Sequence, residues 1–252
     1  MLCCDRYHIF AYHTILTYQK LWPTNRFTFY IPWCDKKPQY IIEDNVIGKD
    51  KVVFVKTSDS SFKGTMKTLL ENIDDEEFIY WCTSDQYLVR MDNKIADTIE
   101  NMLDTVFYNT SIYGISNAFL KKSGRKLIKP AGEVIKGAWG GNMVEKYSWS
   151  DSKTITLWFH QYLRAKVLKH IFNAFTEPRV AKALDKQLYS NSEKIYNFPS
   201  TGRYFTIDTN IAEFGENTSR GKILKNTIES FHKYGIDVTK SFEIMDKELY
   251  WK

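Results

Sequence analysis

The chain has 252 residues, of which 43% are hydrophobic, 15% aromatic and 26% charged. This composition suits one large or two small, tightly joined globular domains, and it excludes disordered, collagen-like and disulfide-stapled chains. Lysine and arginine outnumber aspartate and glutamate by 35 to 30, a net charge of +5, but they form no basic run. The charge is compatible with a phosphate-bearing substrate or with an ordinary solvated surface, and by itself it does not indicate nucleic acid.

The cysteines and the lengths of the apolar runs indicate the cellular compartment. Cys3, Cys4, Cys34 and Cys82 have neither the spacing of metal ligands nor the density of a disulfide framework, which is typical of reduced thiols in a cytoplasmic protein. No apolar stretch reaches the roughly 18 residues of a membrane span, and the N-terminus has no signal-peptide pattern. We therefore expect a cytoplasmic protein without a transmembrane segment.

Predicted strands and helices alternate through the first 116 residues. Short apolar or aromatic runs predict strands at 1–4, 26–33, 51–56, 78–82 and 111–116. Helical spacing of apolar residues predicts helices at 7–22, 62–73 and 93–107, with residues 58–61 capping the second. This order favours an α/β fold with a mixed, mostly parallel sheet and helices on both faces. Right-handed crossovers place the carboxyl ends of such strands at one edge, where ligands bind.

The pattern changes after residue 116. The glycine-containing stretch 117–150 predicts loops and short antiparallel strands added to the sheet. Further strands are predicted at 154–158, 194–198 and 203–207, a loop at 215–221, and helices at 159–172, 179–188 and 223–234. No linker or repeat interrupts the chain, so we expect a single domain, 1–252, with halves 1–116 and 117–252.

Two candidate binding sites follow predicted strands of the first half. Asp5 and Arg6 come directly after the first strand, where a carboxylate can bind a ribose or a base edge; alternatively, Asp5 caps the following helix. Asp59 and Lys63 lie among serines at the start of helix 62–73. They suit the polar groups of a nucleotide or, again, a helix cap.

The sharpest candidate is the segment that follows strand 78–82. Five apolar residues lead directly into Ser84 and Asp85. A carboxylate after a buried strand, on the ligand-binding edge, is well placed to hold Mg²⁺ or Mn²⁺ against a diphosphate. The alternative is an ordinary polar turn.

Two further segments carry candidate residues in the second half. Residues 158–186 contain His160, Glu177 and Asp185, any of which can act as a general base toward an acceptor hydroxyl, although acids on helices are more often solvated. Arg220 and Lys222 flank a glycine before the last long helix and form a candidate phosphate cradle, or a solvated polar loop. Walker, G-x-G-x-x-G, G-x-S-x-G and H-E-x-x-H motifs are absent, and the histidines do not indicate zinc.

The order of these segments resembles a family. Residues 2–23 (LCCDRYHIFAYHTILTYQKLWP) look like the opening of GT-A-type glycosyltransferases from bacteria and large DNA viruses. Residues 61–89 (SFKGTMKTLLENIDDEEFIYWCTSDQYLV) are similar to their helix, turn and strand before an acidic metal-binding motif. Residues 154–171 (TITLWFHQYLRAKVLKHI) resemble the strand and helix of the acceptor side, and TSRGK (218–222) a late loop near the phosphates.

The resemblance implies transfer of a sugar from a nucleotide-diphosphate sugar donor to a glycan or lipid-linked saccharide acceptor, with Mn²⁺ or Mg²⁺. It places Asp5 and Asp59 near the nucleoside and Asp85 at the metal or the ribose and diphosphate, and it places Arg220 and Lys222 on the phosphates. Arg6, Lys63 and Ser84 are further candidate residues for binding the nucleotide sugar. The family has two adjacent acids where this chain has Ser84 and Asp85, so either one carboxylate holds the metal or a cation pair replaces it. At the expected acceptor-side acid the chain has Lys182, which leaves Glu177 and Asp185 as candidate bases.

Two other functions are compatible with the sequence. A non-catalytic member of the same fold would bind a nucleotide sugar or glycan, as the missing second acid suggests. A nucleic-acid-binding protein would explain the charge and the aromatic residues, and its affinity would fall steeply with salt. We favour the enzyme and expect no nucleic-acid partner.

Overall fold

The computed structural model describes residues 1–38, 51–108, 110, 112–116, 132–145, 157–158, 160–176, 186–187, 202–238 and 241–251. Its helices are α1 (His8–Leu21), α2 (Phe62–Leu70), α3 (Asn93–Thr105), α4 (Ala165–Ala174) and α5 (Lys225–Lys233), and the 3-10 turn Asp5–Tyr7 precedes α1. Its strands are β1 (Phe29–Trp33), β2 (Val52–Lys56), β3 (Phe78–Trp81), β4 (Gln86–Met91), β5 (Ile112–Ser116), β6 (Val134–Lys136), β7 (Asn142–Glu145), β8 (Gln161–Arg164), β9 (Arg203–Ile207), β10 (Ala212–Glu216), β11 (Thr218–Ser219), β12 (Lys222–Leu224), β13 (Ile244–Met245) and β14 (Tyr250–Trp251).

Local sequence accounts for where the helices begin. The hydroxyl of Ser61 accepts a hydrogen bond from the Gly64 N–H, and the carboxylate of Asp92 accepts one from the Ile95 N–H, which caps α2 and α3 respectively. Helix α2 therefore starts as the sequence predicted. The predictions for α1, α3 and α5 are also confirmed, with ends that differ by one or two residues.

The central sheet has six strands in the order β3-β8-β5-β9-β7-β6. Of its described strand pairs, only β5–β9 is parallel, and the others are antiparallel. The prediction that neighbouring strands of this sheet are mostly parallel is therefore wrong. The reason is that β8 inserts antiparallel between β3 and β5, and the β6–β7 hairpin adds two antiparallel pairs. Because β3 and β5 both run opposite to β8, the strands β3, β5 and β9 all point in the same direction.

The first residues join the parallel pair β1–β2 to this sheet. The Met1 ammonium donates to the Tyr30 carbonyl (3.0 Å), while Leu2 forms a parallel bridge with Thr83 just beyond β3. The Leu2 N–H donates to the Cys82 carbonyl (2.9 Å), and the Leu2 carbonyl accepts from the Ser84 N–H (3.0 Å). The first residues therefore connect the separate β1–β2 pair to the β3 end of the six-stranded sheet.

Helices cover both faces of the central sheet, as predicted. Neighbouring residues of one strand point to opposite sides: Tyr162 of β8 packs in the core beneath α1 and α3, and Leu163 packs in the core beneath α2 and α4. A smaller sheet, β14-β10-β4, packs on the α1 side, and the short strands β11-β12-β13 lie next to α5. The protein is a mixed α/β structure with several sheets.

Four secondary-structure predictions need correction. The expected helix 159–172 begins only at Ala165, because Gln161–Arg164 form β8 between β3 and β5. Arg164 secures this strand: its side chain is 1% exposed and donates to the carbonyls of Phe107 (2.7 Å), Tyr108 (3.1 Å) and Thr110 (3.2 Å). Leu157 and Trp158, expected in a strand, lie in a turn.

The other two corrections concern β4 and the predicted loop 215–221. Strand β4 follows the Ser84–Asp85 turn and pairs antiparallel with β10, although only a turn was expected there. The predicted loop consists of the end of β10 and the β11–β12 hairpin, so α5 begins two residues later than predicted. The short antiparallel strands expected within 117–150 are confirmed as β6 and β7. Strand 194–198 and residues 179–185 and 188 of the predicted helix 179–188 lie outside the described residues.

Candidate functional site

The candidate site lies at one edge of the sheet, where the segment 1–4, β1, β2 and β3 all end. We call this the carboxyl edge and define it by the residues that follow those segments: Asp5, 34–36, 57–59 and 84–85. The edge is continuous, because the Cys34 N–H donates to the Asp5 carboxylate (3.0 Å) and the Thr57 N–H donates to the Trp33 carbonyl (2.8 Å). The structure thus brings together Asp5, Asp59 and Asp85 at the ends of neighbouring segments.

Asp85 is a partly exposed carboxylate on the turn between β3 and β4, and Ser84 before it is buried. No lysine, arginine or histidine in the described part of the chain forms an ion pair with Asp85. Burial raises the pKa of the Asp85 carboxyl, since desolvation disfavours its charged form. Asp85 is close enough to raise the pKa of the Cys4 thiol and of the Tyr7 hydroxyl, in addition to the larger effect of burial on each. This combination favours a cationic ligand.

The Ser84–Asp85 turn is held from two sides. On one side the Ser84 N–H donates to the Leu2 carbonyl (3.0 Å). On the other, the buried Asn217 side chain donates through Nδ2 to the Ser84 carbonyl (2.8 Å), and the Asn217 N–H donates to the Asp85 carbonyl (2.7 Å). The backbone that carries the Asp85 carboxylate is therefore fixed by hydrogen bonds at both residues.

Asp5 has the opposite surroundings. Its carboxylate accepts hydrogen bonds from the N–H groups of Cys34 (3.0 Å), Asp35 (2.7 Å) and Lys36 (2.8 Å). Burial alone would raise the pKa of Asp5, but these donors together with the His8 ring hold it below its usual value. Asp5 shapes the loop after β1, and it makes no side-chain cap on the helix that follows. The nucleoside contact expected of it stays a prediction.

Asp59 and Lys63 are both engaged within the chain. The Asp59 carboxylate accepts hydrogen bonds from the Ser61 N–H (2.7 Å) and the Ser61 hydroxyl (2.7 Å), which organises the start of α2. The Lys63 ammonium donates to the carbonyls of Asn173 (3.2 Å) and Phe175 (3.1 Å) at the end of α4, where a cation is favoured by the helix dipole. The Asp59 contacts match the alternative prediction, a helix cap. The contacts of Asp59 and Lys63 with a nucleotide stay predictions.

Arg220 and Lys222 lie on the β11–β12 hairpin. Arg220 has φ 53° and Gly221 has φ 78°, so both turn residues occupy the left-handed region that tight hairpins require. The Arg220 side chain is exposed, and the Lys222 ammonium forms an ion pair with Glu243 (2.9 Å) that lowers the pKa of the glutamate. The hairpin thus presents two cations to solvent on a defined backbone.

Two adjoining cavities connect this hairpin to the carboxyl edge. The first, about 590 Å³, is lined by Arg6, Arg220, Gly221, Lys222, Ser241, Phe242 and Glu243. The second, about 670 Å³, shares Arg6, Ser241 and Phe242 with the first and reaches Asp5, Lys36 and Lys37. Arg6 is exposed and lies at the junction. Together the two cavities expose five cationic side chains, which is suitable for a ligand carrying more than one negative charge.

Of the three acid–base candidates in segment 158–186, the structure describes His160. Glu177 and Asp185 lie outside the described residues. His160 is fully buried, with Nδ1 2.6 Å from the Tyr18 hydroxyl and Nε2 3.2 Å from the Thr83 carbonyl. Burial lowers the pKa of His160 to about 3, so the ring is neutral near pH 7 and has no access to a substrate. Among the candidates of segment 158–186, His160 is therefore a core residue.

Sequence reasoning assigned no role to three residues of this region: Asn217, Lys36 and Lys37. Asn217 stands directly before the TSRGK segment, and its only sequence signal is that position. Lys36 and Lys37 follow β1, whose carboxyl end is on the ligand-binding edge. The two lysines were discoverable from the predicted strand order, whereas the contact between Asn217 and Ser84 spans 133 positions of sequence.

Whether Mg²⁺ or Mn²⁺ can bind at the carboxyl edge depends on the side chains there that could act as metal ligands. Within the described residues there is no group of three or more His, Cys, Asp or Glu side chains that could hold a metal ion. Mg²⁺ and Mn²⁺ sites often use one or two carboxylates, with substrate phosphates and water completing the shell. Asp85, desolvated and without a counter-ion among the described residues, fits a metal that arrives with a diphosphate.

Comparison with known proteins matches this chain to no family model, no curated protein and no solved structure. Across the described residues, no helix has the length and apolar character needed to span a membrane.

Proposed function

We propose that the protein is a GT-A-type glycosyltransferase, which transfers a sugar from a nucleotide-diphosphate sugar to a glycan or lipid-linked saccharide acceptor. The observation that carries the proposal is Asp85: a partly buried carboxylate at the carboxyl edge, without an ion-pair partner among the described residues, on a turn anchored beside a cationic hairpin. An acid in such surroundings destabilises the empty protein, and a bound cation or metal–diphosphate offsets that cost.

The strand arrangement supports the same function. The segment 1–4, β1, β2 and β3 end together, and β8 is inserted antiparallel next to β3. A nucleotide lying across these ends has polar backbone and side-chain groups from four neighbouring segments within reach. The expectation drawn from the sequence resemblance, that this half binds the donor, is compatible with this geometry.

The chemistry to be supported is departure of a nucleoside diphosphate. Negative charge grows on the diphosphate as the sugar–oxygen bond breaks, and Arg6, Arg220 and Lys222 line the cavity in which that charge can be stabilised. Mg²⁺ or Mn²⁺ held by Asp85 would supply Lewis-acid stabilisation of the same charge. If the reaction inverts configuration, Glu177 or Asp185 is the proposed base toward the acceptor hydroxyl.

The first experiment is a thermal-shift screen of UDP, GDP, CDP and ADP, each with and without Mn²⁺. A ligand present at 100 times its dissociation constant stabilises the folded state by about 2.7 kcal/mol. For a chain of this size that corresponds to a rise in Tm of about 5–10 °C. We expect one nucleotide to give such a rise, with Mn²⁺ increasing it.

The matched variants are Asp85→Asn and Asp104→Asn. Asp104 is an exposed acid on α3 that pairs with Arg26 (2.7 Å) and lies outside the carboxyl edge. Asp85→Asn should abolish the Mn²⁺-dependent part of the shift and the hydrolysis of the donor sugar, while Asp104→Asn retains both. Unchanged hydrolysis in Asp85→Asn would refute the proposal.

The alternatives give different results in the same experiments. Nucleotide binding without any transfer or donor hydrolysis would identify the non-catalytic binding protein. No nucleotide shift, together with affinity for an oligonucleotide that falls steeply with salt, would identify a nucleic-acid-binding protein.

A further inference from the structure

We propose that Asn217 is a positioning residue, which holds the Asp85 carboxylate and the Arg220–Lys222 hairpin in a fixed relation to each other. The inference rests on the proposed function for its role in diphosphate binding, but the physical link between the two elements can be tested without it. Asn217 is fully buried, so it acts through the residues it contacts rather than on a ligand.

Asn217 binds the acidic turn through two separate donors. Its side-chain Nδ2 donates to the Ser84 carbonyl (2.8 Å), and its backbone N–H donates to the Asp85 carbonyl (2.7 Å). The bonds to the Ser84 and Asp85 carbonyls hold the two successive peptide planes that flank the Asp85 Cα. Consequently the direction in which the Asp85 side chain leaves the backbone depends on Asn217.

The same residue closes the cationic hairpin. Asn217 lies directly before β11, and its carbonyl accepts a hydrogen bond from the Leu224 N–H (3.1 Å) at the end of β12. The hairpin between these two positions carries Arg220 and Lys222 at its tip. One buried residue therefore anchors the base of the hairpin and the turn of the acid.

The support behind Asn217 is rigid. The carbonyl of the preceding residue, Glu216, accepts hydrogen bonds from the Thr227 hydroxyl (2.7 Å) and from the Asn226 side chain (3.3 Å), both on α5. The position of Asn217 therefore depends on α5 and β10, and the position of the candidate site depends on Asn217. Because charge stabilisation of a diphosphate depends on the separation of carboxylate and cations, a small displacement here should weaken binding.

Asn25 provides a matched control. It is also buried, at 4% exposure, and its Nδ2 donates to the Trp22 carbonyl while its Oδ1 accepts from the Phe27 N–H (3.3 Å). No hydrogen bond within the described ranges links the Asn25 side chain to the acidic turn, to Glu216 or to the hairpin. Truncating either asparagine removes buried side-chain hydrogen bonds, but only truncation of Asn217 removes one to the acidic turn.

The test is a double-mutant cycle. Asn217→Ala and Asn25→Ala are each made in the wild-type and Asp85→Asn backgrounds, and binding of UDP and GDP with Mn²⁺ is measured by calorimetry. We expect Asn217→Ala to weaken binding at least tenfold and Asn25→Ala less than twofold. In the Asp85→Asn background, the effect of Asn217→Ala should shrink at least threefold, since there is no carboxylate left to position.

Equal effects of the two truncations, or a full effect of Asn217→Ala without the Asp85 carboxylate, would overturn the proposal and leave Asn217 a purely structural residue. If Asn217→Ala does not fold, Asn217→Ser serves in its place, since serine keeps a polar side chain but is too short to replace the Nδ2 bond to the Ser84 carbonyl.

Hydrogen exchange separates failure of this inference from failure of the proposed function. If the wild type binds none of UDP, GDP, CDP and ADP, the proposed function fails. The link between the turn and the hairpin can still be measured. Asn217→Ala should accelerate amide exchange in residues 84–86 and 219–224 together, and Asn25→Ala in neither segment. Acceleration of only one segment, or of neither, would refute the link.

Discussion

Asp5 and Asp85 are two carboxylates at the same edge of the sheet with opposite surroundings. Asp5 accepts hydrogen bonds from three consecutive backbone N–H groups, and its pKa is lowered. Asp85 has no ion-pair partner in the described part of the chain, and burial raises its pKa. The first carboxylate stabilises the folded chain when ionised, whereas the second destabilises it until a cation binds.

The first residue-scale prediction follows from the raised pKa of Asp85. The folded protein binds this proton more tightly than the unfolded chain, so the contribution of Asp85 to stability is present below the ordinary aspartate pKa of 3.8 and is lost as the pH rises through its folded value. Asp85→Asn should therefore raise the Tm at pH 7. The difference should disappear as the pH falls below 3.8, which melting curves across a pH series will measure.

A lower Tm of Asp85→Asn at pH 7 would contradict this prediction, because it would mean that the ionised carboxylate has a favourable partner. Asp5→Asn is the control with the opposite sign. Its loss of charge-assisted hydrogen bonds should lower the Tm at pH 7, and that loss should shrink toward acidic pH.

At the scale of elements, α1 and β4 depend on each other. Helix α1 is buried along most of its length, and its polar side chains bond directly to the neighbouring strand. The Thr14 hydroxyl donates to the Gln86 carbonyl (2.8 Å), and the Thr17 hydroxyl accepts from the Leu88 N–H (3.0 Å). These threonines satisfy backbone groups of β4 that face a helix instead of another strand.

The element-scale prediction is that Thr17→Val destabilises the protein by about 1–3 kcal/mol, since the valine preserves shape but leaves the buried Leu88 N–H without an acceptor. Urea unfolding monitored by tryptophan fluorescence measures the change. The matched control is Thr98→Val on α3, which removes only a bond to Lys94 within the same helix (2.7 Å) and should change stability by less than about 0.5 kcal/mol. Equal losses in both variants would show that the Thr17 bond to β4 is not important.

Element prediction from sequence succeeded where local signals were sufficient. Ser61 and Asp92 cap α2 and α3 through bonds to residues three positions away, so their signal is contained in a short window. Element prediction failed at β8, because four residues next to a helix have the same apolar content whether they form a strand or extend the helix. Pairing with β3 and β5, and the buried bonds of Arg164, decide in favour of a strand.

At the scale of the whole molecule, two neutral histidines are buried in the core. His13 stacks on Phe231 with ring centroids 4.0 Å apart and bonds to the Ser230 hydroxyl (2.9 Å), and His160 bonds to Tyr18 (2.6 Å). Burial lowers the pKa of each ring from 6.5 to about 3. The unfolded chain binds protons at both positions below pH 6.5, and the folded chain does so only near pH 3.

The whole-molecule prediction is acid sensitivity in that window. Because the unfolded state binds more protons, the free energy of unfolding should fall steadily as the pH drops from 6.5 toward 3. His13→Phe retains the aromatic stacking between Tyr87 and Phe231 and removes one titrating group, so its stability should vary about half as steeply with pH. Denaturant unfolding at pH 7.5, 6 and 4.5 gives the slopes. An unchanged slope in His13→Phe would show that His13 is protonated in the folded protein.

The sequence by itself determined the alternation of strands and helices, the covering of both sheet faces and the position of the candidate acids after strands, because periodicity and caps act over a few residues. Only the tertiary structure decided which acids are already satisfied. It showed that the N–H donors to Asp5 lie about 30 positions away, that the segment 215–221 ends β10 and forms a hairpin, and that Asn217 holds Ser84 across 133 positions. Hydrogen bonds between distant segments depend on chain crossings that no local pattern contains. For that reason the sequence could place Asp5, Asp59 and Asp85 after predicted strands, but only the folded chain shows how their surroundings differ.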